Sequence, residues 1–159
     1  MPVTCKKDGR LVSIVWDRPP LNVLNIPLLR ELADALSSCA TQTDADVIVL
    51  RGAGKRAFSA GVDIRDHTPE NVPEMLHVVH GIIRKLLALP QVTVAAVEGV
   101  CLGGGLEIAS SCDLVIASED SSFATPEIGV GCYPPVPLAR FAGLILKQQP
   151  PRIVPNGRR

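Results

Sequence analysis

Short aliphatic runs alternate along the chain with longer segments in which apolar residues are spaced three or four positions apart. The short runs are rich in valine and isoleucine, as strands of a buried parallel sheet are. They occupy residues 11–16, 46–51, 57–64 (a strand leading into a loop), 92–98, 113–117 and 122–125. The spaced segments predict amphipathic helices. One begins after Asn25, a second begins at Pro69 or Pro73 and ends before Pro90, and a short third covers residues 106–112. The alternation predicts an α/β fold with right-handed crossovers.

The composition favours a single globular domain and argues against several classes of partner. The 159 residues can bury a core, which must be mostly aliphatic because only 3% of residues are aromatic. Lysine plus arginine and aspartate plus glutamate both number 16, so no net charge attracts nucleic acid or an anionic membrane. No apolar run reaches membrane-spanning length, and no secretory signal is visible. We therefore expect no nucleic-acid partner and no membrane partner.

Cysteine and histidine usage gives no sign of a metal site or a disulfide framework. The chain has 5 cysteines, an odd number, and none form a CxxC pair. His67, His77 and His80 lie in one stretch without an HExxH pattern, and we interpret them as solvated side chains. The sequence thus predicts no metal and a reducing compartment, with the cytoplasm as the default.

The glycine-rich segment from Gly99 to Gly105 is the strongest local signal of chemistry. It follows a predicted buried strand as a turn and opens a predicted helix. Glycine lets a ligand approach the peptide N–H groups closely, and N–H groups at a helix start favour negative charge. The segment lacks the GxGxxG order of dinucleotide sites and the GK[ST] of phosphate loops. A donor to a developing oxyanion is the functional interpretation, and tight helix–strand packing is the structural alternative.

A second small-residue turn and two glutamates extend this signal. The turn at residues 57–63 could supply a second N–H donor, since an oxyanion hole needs two from separate loops. Glu107 lies one turn into the helix behind the glycines, and Glu127 follows Pro126. Two carboxyl groups near one reacting centre can position water, accept its proton and return a proton to carbon. The alternative is that both glutamates are surface charges.

A hydrolase with a covalent intermediate is disfavoured by the same residues. There is no GxSxG motif, and no histidine follows position 80 to act as a base. Cys101 has no histidine near it in sequence, so an inert buried thiol is the better interpretation.

Taken together, these motifs resemble the signature of the crotonase (enoyl-CoA hydratase/isomerase) superfamily. The resemblance is carried by residues 57–64 and 99–117, supported by Arg18-Pro19 with Asn25 and by residues 126–131. It runs from about residue 10 to about residue 143. It implies a spiral of ββα units, homotrimers or hexamers, and an acyl-CoA thioester substrate. No cofactor is implied beyond the coenzyme A of the substrate itself.

The resemblance also implies roles for individual residues. The backbone N–H groups of Val62 and Gly104 are expected to hold the thioester oxygen. Glu107 is expected to be the base that activates water, and Glu127 the acid that protonates the α carbon. Ala60 is expected near the adenine of coenzyme A. The remaining expected substrate-binding residues are Gly61, Asp63, Ile64 and Gly103. Having both glutamates favours hydration of the double bond, with bond isomerisation or thioester hydrolysis as alternatives.

Two departures from the family pattern qualify these expectations. Pro134-Pro135 stands where hydratases usually have a glycine-rich run, which resembles the cyclic dienoyl-CoA hydratase branch. We expect the chain to lack the usual C-terminal helical region, because residues 147–159 combine three prolines with four basic residues. We predict a catalytic core at residues 1–143 and a basic, proline-rich, disordered tail at 144–159. An inactive fragment that only binds coenzyme A is the alternative from another functional class, and a nucleic-acid-binding arm is disfavoured.

Overall fold

The computed structural model describes residues 2–131 together with residues 133, 136 and 139. The strands are β1 (Val3–Asp8), β2 (Leu11–Trp16), β3 (Val47–Gly52), β4 (Ala57–Ser59), β5 (Val92–Val97), β6 (Val100–Leu102), β7 (Leu114–Ala117) and β8 (Ser122–Ala124). The helices are α1 (Ile26–Ala40), α2 (Val72–Ala88) and α3 (Gly104–Ser110), with 3₁₀ turns at Ile64–Asp66 and Pro126–Val130. The predicted boundary at residue 143 and the tail at 144–159 lie outside the described residues.

The strands form two sheets, and both are built mainly from parallel strand pairs. The larger sheet has the order β1-β2-β3-β5-β7, and the smaller has the order β4-β6-β8. Every pair is parallel except β1 with β2, which form an antiparallel hairpin. From β2 onward, successive strands change sheet, cross over through a helix, or do both, and the helical crossovers agree with the predicted alternation of strands and helices.

Two features of the chain differ from the sequence-based predictions. Strand β1 was not predicted, because its residues after Val3 are all exposed and carry no apolar alternation. The glycine-rich segment was predicted as one turn, and this was wrong: residues Val100–Leu102 form strand β6, which pairs with β4 and β8. Helix α3 consequently begins at Gly104 instead of residue 106.

Helices α1 and α2 form where the spacing of apolar residues predicted them, and capping supports the start of α1. The side chain of Asn25 accepts a hydrogen bond from the Leu28 N–H at 3.1 Å, which satisfies a free donor at the start of α1. Both α1 and α2 have a proline in the first turn, where no N–H partner is lost. Their apolar faces pack into one aliphatic core that includes Leu29, Leu32 and Ile82, all fully buried.

Strand β4 is fixed to the larger sheet by a buried aromatic pair and a buried amide. The Trp16 indole N–H donates to the Phe58 carbonyl at 2.9 Å, and the two rings lie edge to face with centroids 4.7 Å apart. The Asn22 side chain donates to the Ala57 carbonyl at 2.7 Å and the Ala53 carbonyl at 2.9 Å. These contacts determine where the loop after β4 begins, and the candidate site is built on that loop.

The described residues also show whether the chain has a membrane-spanning helix and what state its cysteines are in. No helix among them is long and apolar enough to cross a membrane. None of the four cysteines in this part of the chain forms a disulfide with another described cysteine. Cys101 is fully buried, and burial raises its pKa to about 12, as expected of an inert thiol.

Candidate active site

The start of α3 packs so closely against the loop after β4 that side chains are excluded from it. A Cβ at Gly104 would lie 2.6 Å from Val62 Cγ2, and a Cβ at Gly105 would lie 2.7 Å from Ser59 Cβ. Gly103 has a φ of +49°, which side chains rarely adopt. The structural alternative, in which these glycines allow tight packing of a helix against a strand, is therefore correct. It also has a functional consequence, since the same contacts bring two backbone segments together.

The amides of Val62 and Gly104 are neighbours across this contact. Val62 N lies 3.6 Å from the position of a Gly104 Cβ, and Gly104 N lies 3.7 Å from the position of a Gly61 Cβ. Leu24 pairs with Val62 in parallel, through the Leu24 N–H on Gly61 and the Asp63 N–H on Leu24, each at 2.9 Å. In that pattern the N–H of the central residue points to the opposite side. The Val62 N–H is thus directed away from Leu24.

Asp63 holds this loop in shape through two arginines. Its carboxylate, which is 6% exposed, accepts from Arg65 Nη2 at 2.8 Å and from Arg18 Nη2 at 3.1 Å. The Arg65 guanidinium contributes most to holding the pKa of Asp63 well below its usual range, and Arg18 adds to the effect. The Asp63 carboxylate therefore has its partners within the protein.

A cavity of about 470 Å³ opens beside the same loop. It is lined by residues 18–20, by Val23, Ala60 and Val62, and by residues 63–65. Ala60, Asp63 and Ile64, which the sequence analysis predicted to bind substrate, all lie here, whereas Gly61 and Gly103 lie behind them at the contact with α3. Val62 is common to the cavity and to that contact.

The two predicted glutamates lie at the glycine turn and not in the cavity. Glu107, on α3, is 7% exposed, and one oxygen of Glu127 lies 3.1 Å from the position of a Gly103 Cβ. Burial is the main reason that the pKa of Glu107 is raised, and the charge of Glu127 raises it further. The Val136 N–H opposes this by donating to Glu107 Oε1 at 3.3 Å. The alternative that both glutamates are surface charges is therefore wrong for Glu107, and Glu127 is partly buried.

Glu127 also has a raised pKa, again mainly because of burial. Its Oε2 atom is buried, and within the described residues it has no hydrogen-bond partner. The charge of His67 acts in the opposite direction and lowers the pKa of Glu127.

His67, which the sequence analysis interpreted as a solvated side chain, is exposed. Its Nδ1 lies 3.0 Å from the Asp63 carbonyl oxygen. No sequence signal connects residue 67 with residue 127, because only the folded loop brings them into electrostatic range.

Neighbouring loop amides, the buried carboxyl group of Glu107 and the partly buried carboxyl group of Glu127 define a class of site that can polarise a carbonyl group and move protons beside it. A sequence model described as "Enoyl-CoA hydratase/isomerase" matches residues 6–153. The chain belongs to this family, within the crotonase superfamily, and the predicted membership is confirmed.

Individual relatives agree with this placement. The chain is 35% identical over 136 residues to the short-chain-enoyl-CoA hydratase of Clostridium acetobutylicum, covering 83% of this chain and 52% of that protein. It is 31% identical over 135 residues to the cyclohexa-1,5-dienecarbonyl-CoA hydratase of Thauera aromatica, with 85% and 52% covered. Among solved structures, Pseudomonas aeruginosa DspI aligns with a TM-score of 0.84 at 28% identity, covering 92% of this chain and 57% of that one. These matches confirm the predicted fold class, and the chain spans about half the length of the relatives it matches.

Proposed function

We propose that this chain forms the catalytic half of an enoyl-CoA hydratase that adds water across the double bond of an acyl-CoA thioester. The observation that carries the proposal is the placement of Glu107 and Glu127 together at the glycine turn between β6 and α3. A single carboxyl group could shift a double bond. A pair can both activate water and deliver a proton, which hydration requires.

The proposed first step is polarisation of the thioester carbonyl by the amides of Val62 and Gly104. Negative charge develops on the carbonyl oxygen when the β carbon is attacked, so donors aimed at that oxygen lower the barrier. The close packing at Gly104 and Gly105 supports this role, because it holds the two loops in a fixed relation before substrate binds. Removal of such a donor typically costs 10²–10³-fold in rate, but a backbone donor cannot be removed by side-chain substitution.

The proton transfers are assigned to the glutamates. In this proposal the Glu107 carboxylate takes a proton from water while the oxygen of that water bonds to the β carbon. Glu127 gives its proton to the α carbon as the enolate collapses, so one water is consumed and no net proton is released. Both pKa values are raised by burial, and neighbouring carboxyl groups tend to share one proton. A pair with one proton is the form that this step needs.

The cavity beside Ala60 supports binding of the coenzyme A end of the substrate. Its walls include the cationic Arg18 and Arg65, and it meets the amide pair at Val62. A long ligand could therefore place its nucleotide in the cavity, with Ala60 near the adenine, and its thioester at the amides. In this proposal Gly61 and Gly103 contribute by leaving room for the backbone contact, and Asp63 and Ile64 by shaping the cavity wall.

The experiment is an assay of water addition to crotonyl-CoA and to a cyclic dienoyl-CoA, followed by loss of the conjugated thioester absorbance. Glu107→Gln and Glu127→Gln should each lower turnover by about 10²-fold or more. Glu119→Gln, a change at an exposed position, is the matched control and should leave turnover unchanged. Full activity in a folded Glu107→Gln protein would contradict the proposal. Preference for the cyclic substrate would support the branch to which the Thauera aromatica enzyme belongs.

The family description gives a second candidate, a double-bond isomerase that uses the same amides. Product analysis separates the two, because hydration incorporates solvent oxygen and isomerisation does not. The homotrimer or hexamer and the cytoplasmic location stay predictions. Light scattering after size-exclusion chromatography tests the oligomer. Tight binding of coenzyme A without any turnover would favour the inactive fragment.

A further inference from the structure

Arg18 joins the two chain segments that meet at Val62. One arm of its guanidinium, Nη1, donates to the Val23 carbonyl at 2.9 Å, and the other, Nη2, donates to the Asp63 carboxylate at 3.1 Å. Val23 immediately precedes Leu24 in the segment before α1, and Asp63 immediately follows Val62 in the loop after β4. Because the guanidinium is a planar and rigid fork, it holds these two segments in one fixed relation.

The two segments meet at a short backbone bridge. The Leu24 N–H donates to the Gly61 carbonyl and the Asp63 N–H donates to the Leu24 carbonyl, each at 2.9 Å. The bridge is isolated and lies outside strands β1 to β8, so a regular ladder of hydrogen bonds does not support it. It determines the direction of the Val62 N–H, which points away from Leu24. Whatever fixes this bridge therefore also fixes the candidate donor at Val62.

Other contacts tie the same segments together on both sides of the bridge. The Ala60 N–H donates to the Leu21 carbonyl at 2.9 Å before it, and the Ile26 N–H donates to the Asp66 carboxylate at 2.9 Å after it. Arg18 acts at the bridge itself, because its two partners are the immediate neighbours of the bridged residues.

The Arg18 side chain starts from a fixed backbone and ends on a buried charge. Its N–H donates to the Asn22 side chain at 3.0 Å, and that side chain in turn donates to the Ala57 carbonyl on β4 at 2.7 Å. The Arg18 side chain is 29% exposed, whereas that of Asp63 is 7% exposed. Hydrogen bonds to a buried carboxylate are stronger than those made in water, so the fork is held firmly at this end.

We propose that Arg18 is a positioning residue for the Val62 amide: by joining Val23 to Asp63, its guanidinium fixes the bridge that directs the Val62 N–H. The inference rests on the proposed function, in which that N–H polarises the thioester carbonyl. Loss of the fork loosens the bridge, so the donor is no longer held where negative charge develops in the transition state.

The test is amide hydrogen exchange followed by NMR on the whole chain without substrate. Arg18→Met keeps an apolar stem and removes the fork. Exchange of the Leu24 and Asp63 amides should become about tenfold faster relative to the Leu50 amide in the middle of β3, because charge-assisted bonds that hold the bridge are lost. Arg65→Met is the matched control. It removes a positive charge from the same cavity wall and the same carboxylate, but Arg65 bonds only within its own loop, so the relative exchange at Leu24 should not change.

Two results would overturn the inference. One is unchanged exchange at Leu24 and Asp63 in folded Arg18→Met. The other is equal acceleration at Leu24 and Leu50, which would show a general loss of stability and no particular effect on the bridge. If Arg18→Met does not fold, Arg18→Lys takes its place. Lysine keeps the charge but is a single point donor, so the same local acceleration is expected, and its absence would overturn the inference.

Kinetics then separate positioning from direct contact with substrate. Where the unchanged chain hydrates crotonyl-CoA, Arg18→Met should lower kcat about tenfold with a smaller change in KM, because a misplaced donor weakens binding of the transition state more than binding of the substrate. A raised KM with unchanged kcat would make Arg18 a substrate contact and overturn the positioning role. Absence of turnover in the unchanged chain would contradict the proposed function, and the exchange result would still decide whether Arg18 fixes the bridge.

Discussion

Glu127 Oε1 faces Gly103 so closely that a Cβ at position 103 would lie 3.1 Å from it. The carboxyl group thus lies directly against the backbone that opens α3. The glycine turn therefore shapes both the amide pair and the surroundings of one glutamate. A substitution at this point should affect stability and the protonation of Glu127 together.

Gly103→Ala should lower the free energy of unfolding by about 1–3 kcal/mol, because alanine resists the φ of +49° found here. It should also push Glu127 away from the turn and lower the midpoint of its carboxyl titration, since displacement brings it into water. Chemical denaturation and ¹³C NMR give the two readouts. Gly129→Ala is the control, because nothing lies within 4 Å of a Cβ there and its φ is ordinary. Equal stability of Gly103→Ala and wild type would show that the turn is adaptable.

The secondary structure around the site could be predicted from local patterns, but the pairing of segments could not. Asn25 and the spacing of apolar residues after it indicated α1 correctly, since capping and amphipathicity are local properties. Strand β6 was hidden within the glycine-rich segment, because its identity as a strand depends on pairing with β4 and β8. Three residues leave too short a pattern to reveal a strand.

In the candidate site, too, local sequence features could be predicted, whereas contacts between distant residues could not. The two glutamates stood out because an apolar neighbourhood and a proline-marked turn are visible in sequence. His67 did not stand out, since the effect of its charge on the pKa of Glu127 depends on the folded structure and no local sequence pattern connects the two residues. The ion pair of Asp63 with Arg18 was equally invisible, because Arg18 lies 45 positions away in the chain.

Asp63→Asn should destabilise the protein at neutral pH by roughly 1–3 kcal/mol, because a buried carboxylate loses its charge-assisted bonds to Arg18 and Arg65. The folded-state pKa of Asp63 is lowered, so the stabilisation is fully present above the unfolded-state value of about 3.9. It is lost as pH falls through the lower folded-state value. Urea unfolding of both proteins across this range is the measurement. A stability difference that is already gone at pH 5 would contradict the assignment.

Glu107→Gln should stabilise the protein at alkaline pH, in contrast to its expected effect on turnover. Burial raises the folded-state pKa of Glu107, so ionisation of this group disfavours the folded state once the pH exceeds the unfolded-state value of about 4.3. A neutral amide of the same shape avoids that penalty. The free energy of unfolding should exceed that of wild type by about 1 kcal/mol at pH 8 and should match it near pH 4. Glu119→Gln, changed at an exposed position, should show no such pH dependence, and a destabilised Glu107→Gln at pH 8 would contradict the argument.

Ile116→Lys should reduce self-association without unfolding the chain. Strand β7 lies at the edge of the larger sheet in the described residues, and Leu114, Val115 and Ile116 are 53%, 46% and 63% exposed. Exposed apolar edge strands template pairing with other chains, and a lysine at such an edge opposes it. The free energy of unfolding should change by less than about 0.5 kcal/mol, while sedimentation velocity measured over a range of concentrations should show weaker association than for the unchanged chain. Leu87→Lys, on the exposed side of α2 and 55% exposed, should leave association unchanged. If Ile116→Lys instead destabilised the fold by several kcal/mol, Ile116 would have to be buried in solution, and the edge would not be open.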